Sequence, residues 1–188
     1  MRDRLTTWYL QMGTPAALRP APEPSVDAPL LRVEHPSPAF SRFLYTAVGG
    51  GWFWRDRLPW TYAQWWRWLD RSELETWVLY VDGTPAGYIE LEQQAHGDVE
   101  IAYFGLLPAF IGRGLGGHLL TRGIARAWSY PGTRRVWVHS CSLDGPAALA
   151  NYQARGLVIY RVEETDIERP EHPDGPWPGW DRDGADGR

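Results

Sequence analysis

The chain has 188 residues, of which 44% are hydrophobic and 22% charged, with a formal charge of −4. That balance excludes a disordered chain and fits one domain with its own core, while the acidic sum argues against a protein that grips nucleic acid by neutralising phosphates. A single cysteine, Cys141, excludes an intramolecular disulfide and a cysteine metal cluster.

In chain order, Met1 to Trp8 lacks the apolar run of a signal peptide, and no apolar stretch approaches the ~20 residues of a membrane helix. The expectation is a cytoplasmic protein without a membrane partner. Thr6 to Met12 reads as a strand, Pro15 to Pro29 as a Pro/Ala-rich loop, and Leu31 to Val33 as a short strand. Ser37 caps a helix with Pro38 at its first position, running to about Val48 and ended by Gly49, Gly50 and Gly51. An aromatic loop follows from Trp52 to Trp60, and Thr61 caps a second helix to about Asp70. Strands are predicted over Thr76–Val81, Ala86–Gln93 and Val99–Leu106, joined by turns at Asp82-Gly83 and His96-Gly97-Asp98. A loop from Pro108 to Gly114 leads to a helix over Leu115–Trp128. A strand over Arg135–Ser140, a helix over Pro146–Arg155 and a strand over Leu157–Glu163 complete the pattern. Residues 1–168 read as one domain and 169–188 as a loosely ordered Pro/Gly/Asp-rich tail, in which Trp177 and Trp180 are candidate anchors. Hairpins make the three central strands antiparallel, and the helix after Gly114 permits a parallel crossover. The fold class is therefore α+β (α/β) with a mixed sheet flanked by helices.

Residues Val99 to Trp128 carry the chemistry. A strand runs into a loop with Gly112, Gly114, Gly116 and Gly117, and a helix starts there. Unpaired N–H groups and the helix dipole favour an anion at such a helix start, and glycines let the backbone curl around it. This is a site for phosphate or pyrophosphate, to which Arg113 adds a charge. Gly112, Gly114 and Gly117 also satisfy the dinucleotide fingerprint G-x-G-x-x-G. That fingerprint follows its strand at once and needs an acid at the end of the next strand. Here Pro108 to Ile111 intervene and the next strand ends Val138-His139-Ser140, so a nicotinamide-dependent enzyme is the weaker reading.

The run Ile111-Gly112-Arg113-Gly114-Leu115-Gly116 resembles the R/Q-x-x-G-x-G/A motif of the GNAT superfamily of acetyl-CoA-dependent N-acetyltransferases, with Ile111 in place of Arg or Gln. Pro146 to Tyr152, followed by Gly156-Leu157, resembles that family's second motif, N-x-x-A-x-x-x-Y-x-x-x-G-F, with Gly145 beside Asp144 in place of Asn and Leu157 in place of Phe. The resemblance covers about Leu31 to Glu164. It implies acetyl-CoA as co-substrate, and a mostly antiparallel sheet with a parallel, splayed strand pair, Val99–Leu106 and Arg135–Ser140. The backbone of Phe104, Gly105 and Leu106 would pair with pantetheine, and Ile111 to Gly117 with Asp144 would complete the cofactor site. An N–H near Phe104 would face the thioester oxygen, which gains charge in the transition state.

Glu100 is the first candidate for general base, since some members of the family carry a catalytic Glu on this strand. Strict alternation places Glu100, Ala102 and Phe104 on one face, with Glu100 about 13 Å from Phe104 at ~3.3 Å per residue. Tyr152 matches the family's general acid, a phenol protonated at neutral pH. Glu90 and Glu92 share one strand face and are alternative bases or simply solvated. His139 titrates near neutrality but, at a strand end, reads as structural. Cys141 lacks ordered His and acid partners, which favours direct transfer over an acetylated thiol. The acceptor, a primary amine of a small molecule, is expected at the loop Trp52–Trp60. Its aromatic faces suit a cation, whereas Arg55 and Arg57 would suit a carboxylate. Trp65, Trp68 and Leu69 lie on one helical stripe and are expected in the core. A non-catalytic acyl-CoA-binding module and a homodimer remain open.

Overall fold

The computed structural model describes residues 2–175. Seven strands, β1 (Arg2–Met12), β2 (Leu30–Arg32), β3 (Leu74–Val81), β4 (Thr84–Gln93), β5 (Asp98–Leu106), β6 (Arg135–Cys141) and β7 (Val158–Glu168), form one sheet in the order β2-β3-β4-β5-β6-β1-β7. Every neighbouring pair is antiparallel except β5 and β6, which are parallel. Helices α1 (Pro38–Gly49) and α2 (Tyr62–Leu69) lie on one face of the sheet, and α3 (Leu115–Trp128) and α4 (Ala148–Ala154) on the other. This is the mixed α+β sheet expected from the sequence. No helix among the described residues is long and apolar enough to cross a membrane.

Local chemistry sets the element ends. The Ser37 side chain accepts from the Phe40 N–H at the start of α1. At α2, Thr61 and Gln64 form a reciprocal capping box, each side chain accepting the other's backbone N–H. Asp82 and Gly83 both have positive φ, as the two-residue hairpin between β3 and β4 requires. The larger core lies under α3, where Leu119, Leu120 and Ile124 meet Ile89, Leu91, Ile101 and Val138. A smaller one joins Leu44 and Val48 of α1 to Val78 and Tyr88.

β1 and its neighbour, the edge strand β7, differ from expectation. β1 begins at Arg2 rather than Thr6, and β7 continues to Glu168 rather than Glu163. Of their added residues only Leu5 and Ile167 are apolar, too few to mark a strand by apolar alternation. They are extended because they pair with each other, from Arg2↔Glu168 to Gln11↔Val158. Arg4 lies 3.4 Å from Glu164 and 3.7 Å from Asp166 across that ladder. α4 begins at Ala148 rather than Pro146, because the Ala148 N–H closes a turn on the Gly145 carbonyl at 2.8 Å. Residues 169–175, expected as loose tail, are tied back to the domain. Arg169 pairs with Asp3 at 2.7 Å, and the Gly175 N–H donates to the Gly50 carbonyl at 3.0 Å. Trp177 and Trp180 lie outside the described residues.

The connection from α1 to α2 is fixed by a buried ion pair. The Arg57 guanidinium donates twice to Glu90 of β4, at 3.1 and 2.8 Å, and the Trp68 indole donates to the same carboxylate at 3.1 Å. Both charged side chains are almost fully buried. The guanidinium also lies 4.2 Å from the ring centres of Trp68 and Tyr103. Removing one partner leaves a buried charge uncompensated, which costs about 3–5 kcal/mol. In urea unfolding, Arg57→Met and Glu90→Leu should each lose stability of that order, and the double variant should lose much less than their sum.

Candidate active site

Strands β5 and β6 pair only at Asp98↔Arg135, Val99↔Val136 and Glu100↔Trp137. An Asp98–Arg135 ion pair closes that end. Beyond Glu100 the strands separate, and a cleft of about 1190 Å³ opens between them. One wall is Phe104, Gly105 and Leu106 of β5, continuing into Ile111, Gly112 and Gly114 of the loop. The opposite wall is Val138, His139 and Cys141 of β6.

β5 is not a regular strand here. Leu91 and Glu90 of β4 pair with Ile101 and Tyr103, so Ala102 is an extra residue in a β-bulge. The bulge reverses the alternation downstream. Glu100 lies opposite Glu92, whose partner Arg71 follows α2, and Tyr103 lies opposite Glu90 on that same face. Phe104 lies opposite Ile89 in the α3 core, and its ring centre is 5.8 Å from that of Tyr152 on α4. The expectation that Glu100 and Phe104 share a face is therefore wrong, because one inserted residue exchanges the faces.

The glycine loop ends in the start of α3. Gly112 (φ 82°) and Gly114 (φ 77°) hold left-handed conformations that a side chain would strain. Gly114 is the N-cap, and no side chain caps the helix. Gly116 and Gly117 face the cleft from the first turn, where the N–H groups have no intrahelical partner. Leu115, expected in the cofactor site, is fully buried in the core under α3 and is not part of the cleft wall. Arg113 is exposed, with its guanidinium 5.4 Å from the centre of the Phe110 ring rather than in the cleft wall.

Tyr152 lines the cleft and is buried; desolvation, with the Asp144 charge, pushes its pKa up. Asp144 also reaches the cleft, but its Oδ2 accepts from the Ser140 hydroxyl at 2.7 Å and the Cys141 N–H at 2.9 Å. Those bonds fix the turn after β6. Burial, reinforced by Asp144, pushes the Cys141 thiol up to about 11. A thiol so rarely ionised is a poor nucleophile at neutral pH.

Glu100 does not line the cleft. Its Oε2 accepts from Gln94 Nε2 at 2.7 Å, and its Oε1 lies 3.4 Å from Nδ1 of His139. His139 is half-exposed and does line the cleft. Its place at a strand end suggests a structural residue when each strand is read alone. The parallel register that sets Glu100 beside Trp137, two residues before His139, is what joins the pair.

On the α1–α2 side the cleft is bounded by Val48, Trp52, Phe53, Trp54 and Asp56. Gly49 lets the Trp54 ring lie against α1, since a Cβ there would meet it at 2.1 Å. The other tryptophans of the region serve the protein's own cation. Trp60, Trp65 and Trp68 surround Arg57, with ring centres 5.0, 5.8 and 4.2 Å from it. Arg57 is thus committed to Glu90, and Arg55 pairs with Asp174 at 2.8 Å. Glu90 is not a solvated group, being 2% exposed, and Glu92 is bound by Arg71 at 2.6 Å. Asp56 is exposed at the mouth, with no hydrogen bond or ion pair among the described residues.

The family model for the acetyltransferase (GNAT) family matches residues 37–157, well over half of the chain, and the protein belongs to that family. Comparison with curated proteins finds no match. Among solved structures, a GCN5-related N-acetyltransferase from Kribbella flavida aligns with a TM-score of 0.62 at 17% identity, over 86% of this chain and 56% of its own. One from Sphaerobacter thermophilus gives 0.60 at 18%, over 91% and 54%. An acetyltransferase from Thermus thermophilus gives 0.51 at 18%, over 77% of this chain and 100% of its own. At these identities the likeness is one of fold. The chain spans little more than half the length of the Kribbella and Sphaerobacter proteins.

The raised Cys141 thiol makes a simple chemical prediction. Its alkylation by iodoacetamide at pH 7.5 should be at least about tenfold slower than that of a free thiol with a pKa near 8.5, and should accelerate as pH rises toward 11. Mass spectrometry of the single labelled peptide reads this directly.

Proposed function

We propose that this protein transfers the acetyl group of acetyl-CoA to a primary amine of a small molecule, directly, with both substrates bound. The observation that carries this reading is one continuous cleft. It runs from the uncapped start of α3, between the separated strands, to the aromatic and acidic mouth at Trp52 and Asp56.

The residues present fit acetyl-CoA. The first turn of α3 offers N–H groups and a positive dipole end to the pyrophosphate, and left-handed Gly112 and Gly114 shape the loop around it. On the cleft side, β5 beyond Glu100 has no strand partner, so its backbone groups are available to the pantetheine amides. An N–H near Phe104 would stabilise the charge that gathers on the thioester oxygen. The free amine nitrogen bonds to the carbonyl carbon, the carbon–sulfur bond breaks, Tyr152 donates a proton to the departing sulfur, and the nitrogen sheds one proton, which returns through cleft water to Tyr152. Its raised pKa keeps the phenol protonated at any working pH. Much of the rate comes from holding the reactants together in one cleft.

The mouth favours an acceptor with positive charge and an apolar or aromatic body. Trp52, Phe53 and Tyr9 supply apolar surface, and Asp56 and Asp144 are carboxylates in the lining. No arginine is in that lining, which speaks against an acceptor that carries its own carboxylate. The half-buried Cys141 thiol, held up near 11, favours direct transfer over an acetyl-thiol stage.

In a thermal melt, acetyl-CoA and CoA should raise the midpoint and NADH should not. A ligand at 100 times its Kd adds about 2.7 kcal/mol. An unchanged midpoint with both CoA ligands would sink the reading. Tyr152→Phe should keep that shift and lower kcat for thiol release by about 10²-fold, as measured by thiol titration.

A further inference from the structure

An amine attacks only as the free base, so an ammonium acceptor must first give up a proton to a group inside the cleft. Glu100 is badly placed for this. Both its oxygens face protein groups, Gln94 on one side and His139 on the other, and it stands outside the cleft wall. Gln94 is itself held, since the Trp137 indole donates to its Oε1 at 3.0 Å. The carboxylate is thereby fixed in orientation, with Oε1 aimed at Nδ1 of His139. A carboxylate on one imidazole nitrogen keeps the proton there and leaves the other nitrogen as the acceptor. Nε2 of His139 has no hydrogen bond among the described residues, and the ring lines the cleft.

We propose that His139 is the base that takes the proton of the acceptor ammonium, through Nε2, and that Glu100 is its positioning residue. The proposal rests on the transferase reading above and assigns a step within it. The ammonium proton passes to Nε2 and forms imidazolium. The freed lone pair of the nitrogen bonds to the carbonyl carbon. The nitrogen, cationic after attack, loses its second proton as the carbon–sulfur bond breaks and Tyr152 protonates the sulfur. Through cleft water that second proton restores Tyr152, and His139 gives its proton to solvent, one proton being released per amide formed.

The groups that face His139 come from every neighbouring element. They are Glu100 from β5, Asp144 from the turn after β6, and Asp56 from the α1–α2 connection. Cys141 is two residues on, and the Tyr9 ring of β1 is centred 6.1 Å away. The Tyr9 hydroxyl donates to Glu163 of β7, and Arg161 of β7 lies 3.7 Å from the centre of the same ring. The contact with Glu100 raises the imidazole pKa more than burial lowers it, and the charges of Asp144 and Asp56 add to the rise. The active form is the neutral ring. Activity should therefore rise with pH through a value above the ordinary ~6.5, and Glu100→Gln should move that rise to lower pH.

Two probes of nearly equal shape test the assignment. 2-Phenylethylamine is an ammonium at neutral pH, whereas O-benzylhydroxylamine is already a free base. His139→Gln should lower kcat/KM for 2-phenylethylamine by about 10²–10⁴-fold, and for O-benzylhydroxylamine by less than about tenfold. The variants should keep the CoA-induced thermal shift, which shows that the fold and the CoA site are intact. Equal losses with the two probes, or a pH profile unmoved by Glu100→Gln, would overturn the base and leave the transferase reading standing. So would full activity in His139→Gln with none in Glu100→Gln, which returns the role to Glu100. No thiol release from the unaltered protein with either probe at any pH overturns the transferase reading, and the base with it.

Discussion

The structure depends on one interruption of hydrogen bonding. β5 and β6 share a ladder for three residues and then part, at Glu100 and Trp137. A sheet of seven strands that stayed paired throughout would have no opening in its plane. Because the two strands are parallel, their connection crosses one face through α3, and this sets the start of that helix beside the gap. The same parting therefore creates the cleft, frees the backbone of β5 on one side, and brings the uncapped start of α3 to the opening. The bulge at Ala102 then turns Phe104 toward Tyr152 while Tyr103 stays with the aromatic side. The cleft thus joins the two faces of the sheet, the one under α3 and α4 and the one under α1 and α2.

The α1–α2 side of the cleft is built around a buried charge pair. Arg57 and Glu90 tie the connection between α1 and α2 to the centre of the sheet, and three tryptophans enclose the guanidinium. Such a pair is costly to bury and contributes little net stability, but it is satisfied in only one arrangement. With Arg57 fixed, Asp56 beside it in sequence points to solvent at the mouth, and Trp54 lies back against Gly49. The tryptophan-rich loop is thereby divided between scaffold and cleft. Trp60, Trp65 and Trp68 belong to the scaffold, and Trp52 and Trp54 to the cleft.

Much of the α3 side of the cleft is legible in the sequence because its signals are local. Positive φ at Gly112 and Gly114, and a helix beginning at Leu115, follow from glycine spacing and the apolar pattern after it. Tyr152 sits where the second motif implies, on a helix that faces the cleft. The acid–base side is less legible. Glu100 stands out for its place on β5, but whether it reaches the cleft depends on Ala102, and a bulge leaves no mark in a hydrophobic pattern. His139 looks structural because its partner is 39 positions away and adjacent only through the parallel register. Glu90 and Arg57 illustrate the same limit, since a strand carboxylate and a loop arginine each look solvated until they are seen to pair.

By itself the sequence determined the order of helices and strands, the helix caps at Ser37 and Thr61, the Asp82-Gly83 hairpin and the glycine loop before α3. Each depends on backbone preferences and hydrogen bonds that reach only a few residues. Tertiary structure decided what depends on long-range pairing. It inserted β1 between β6 and β7 and extended β1 and β7 through mostly polar residues that show no strand pattern. It also decided which carboxylates are free. Glu90 is neutralised inside the sheet, Glu100 is turned to His139, and Asp56 alone of these three is left unpaired at the mouth. A charge is defined by what surrounds it, and those surroundings come from segments far apart in the chain.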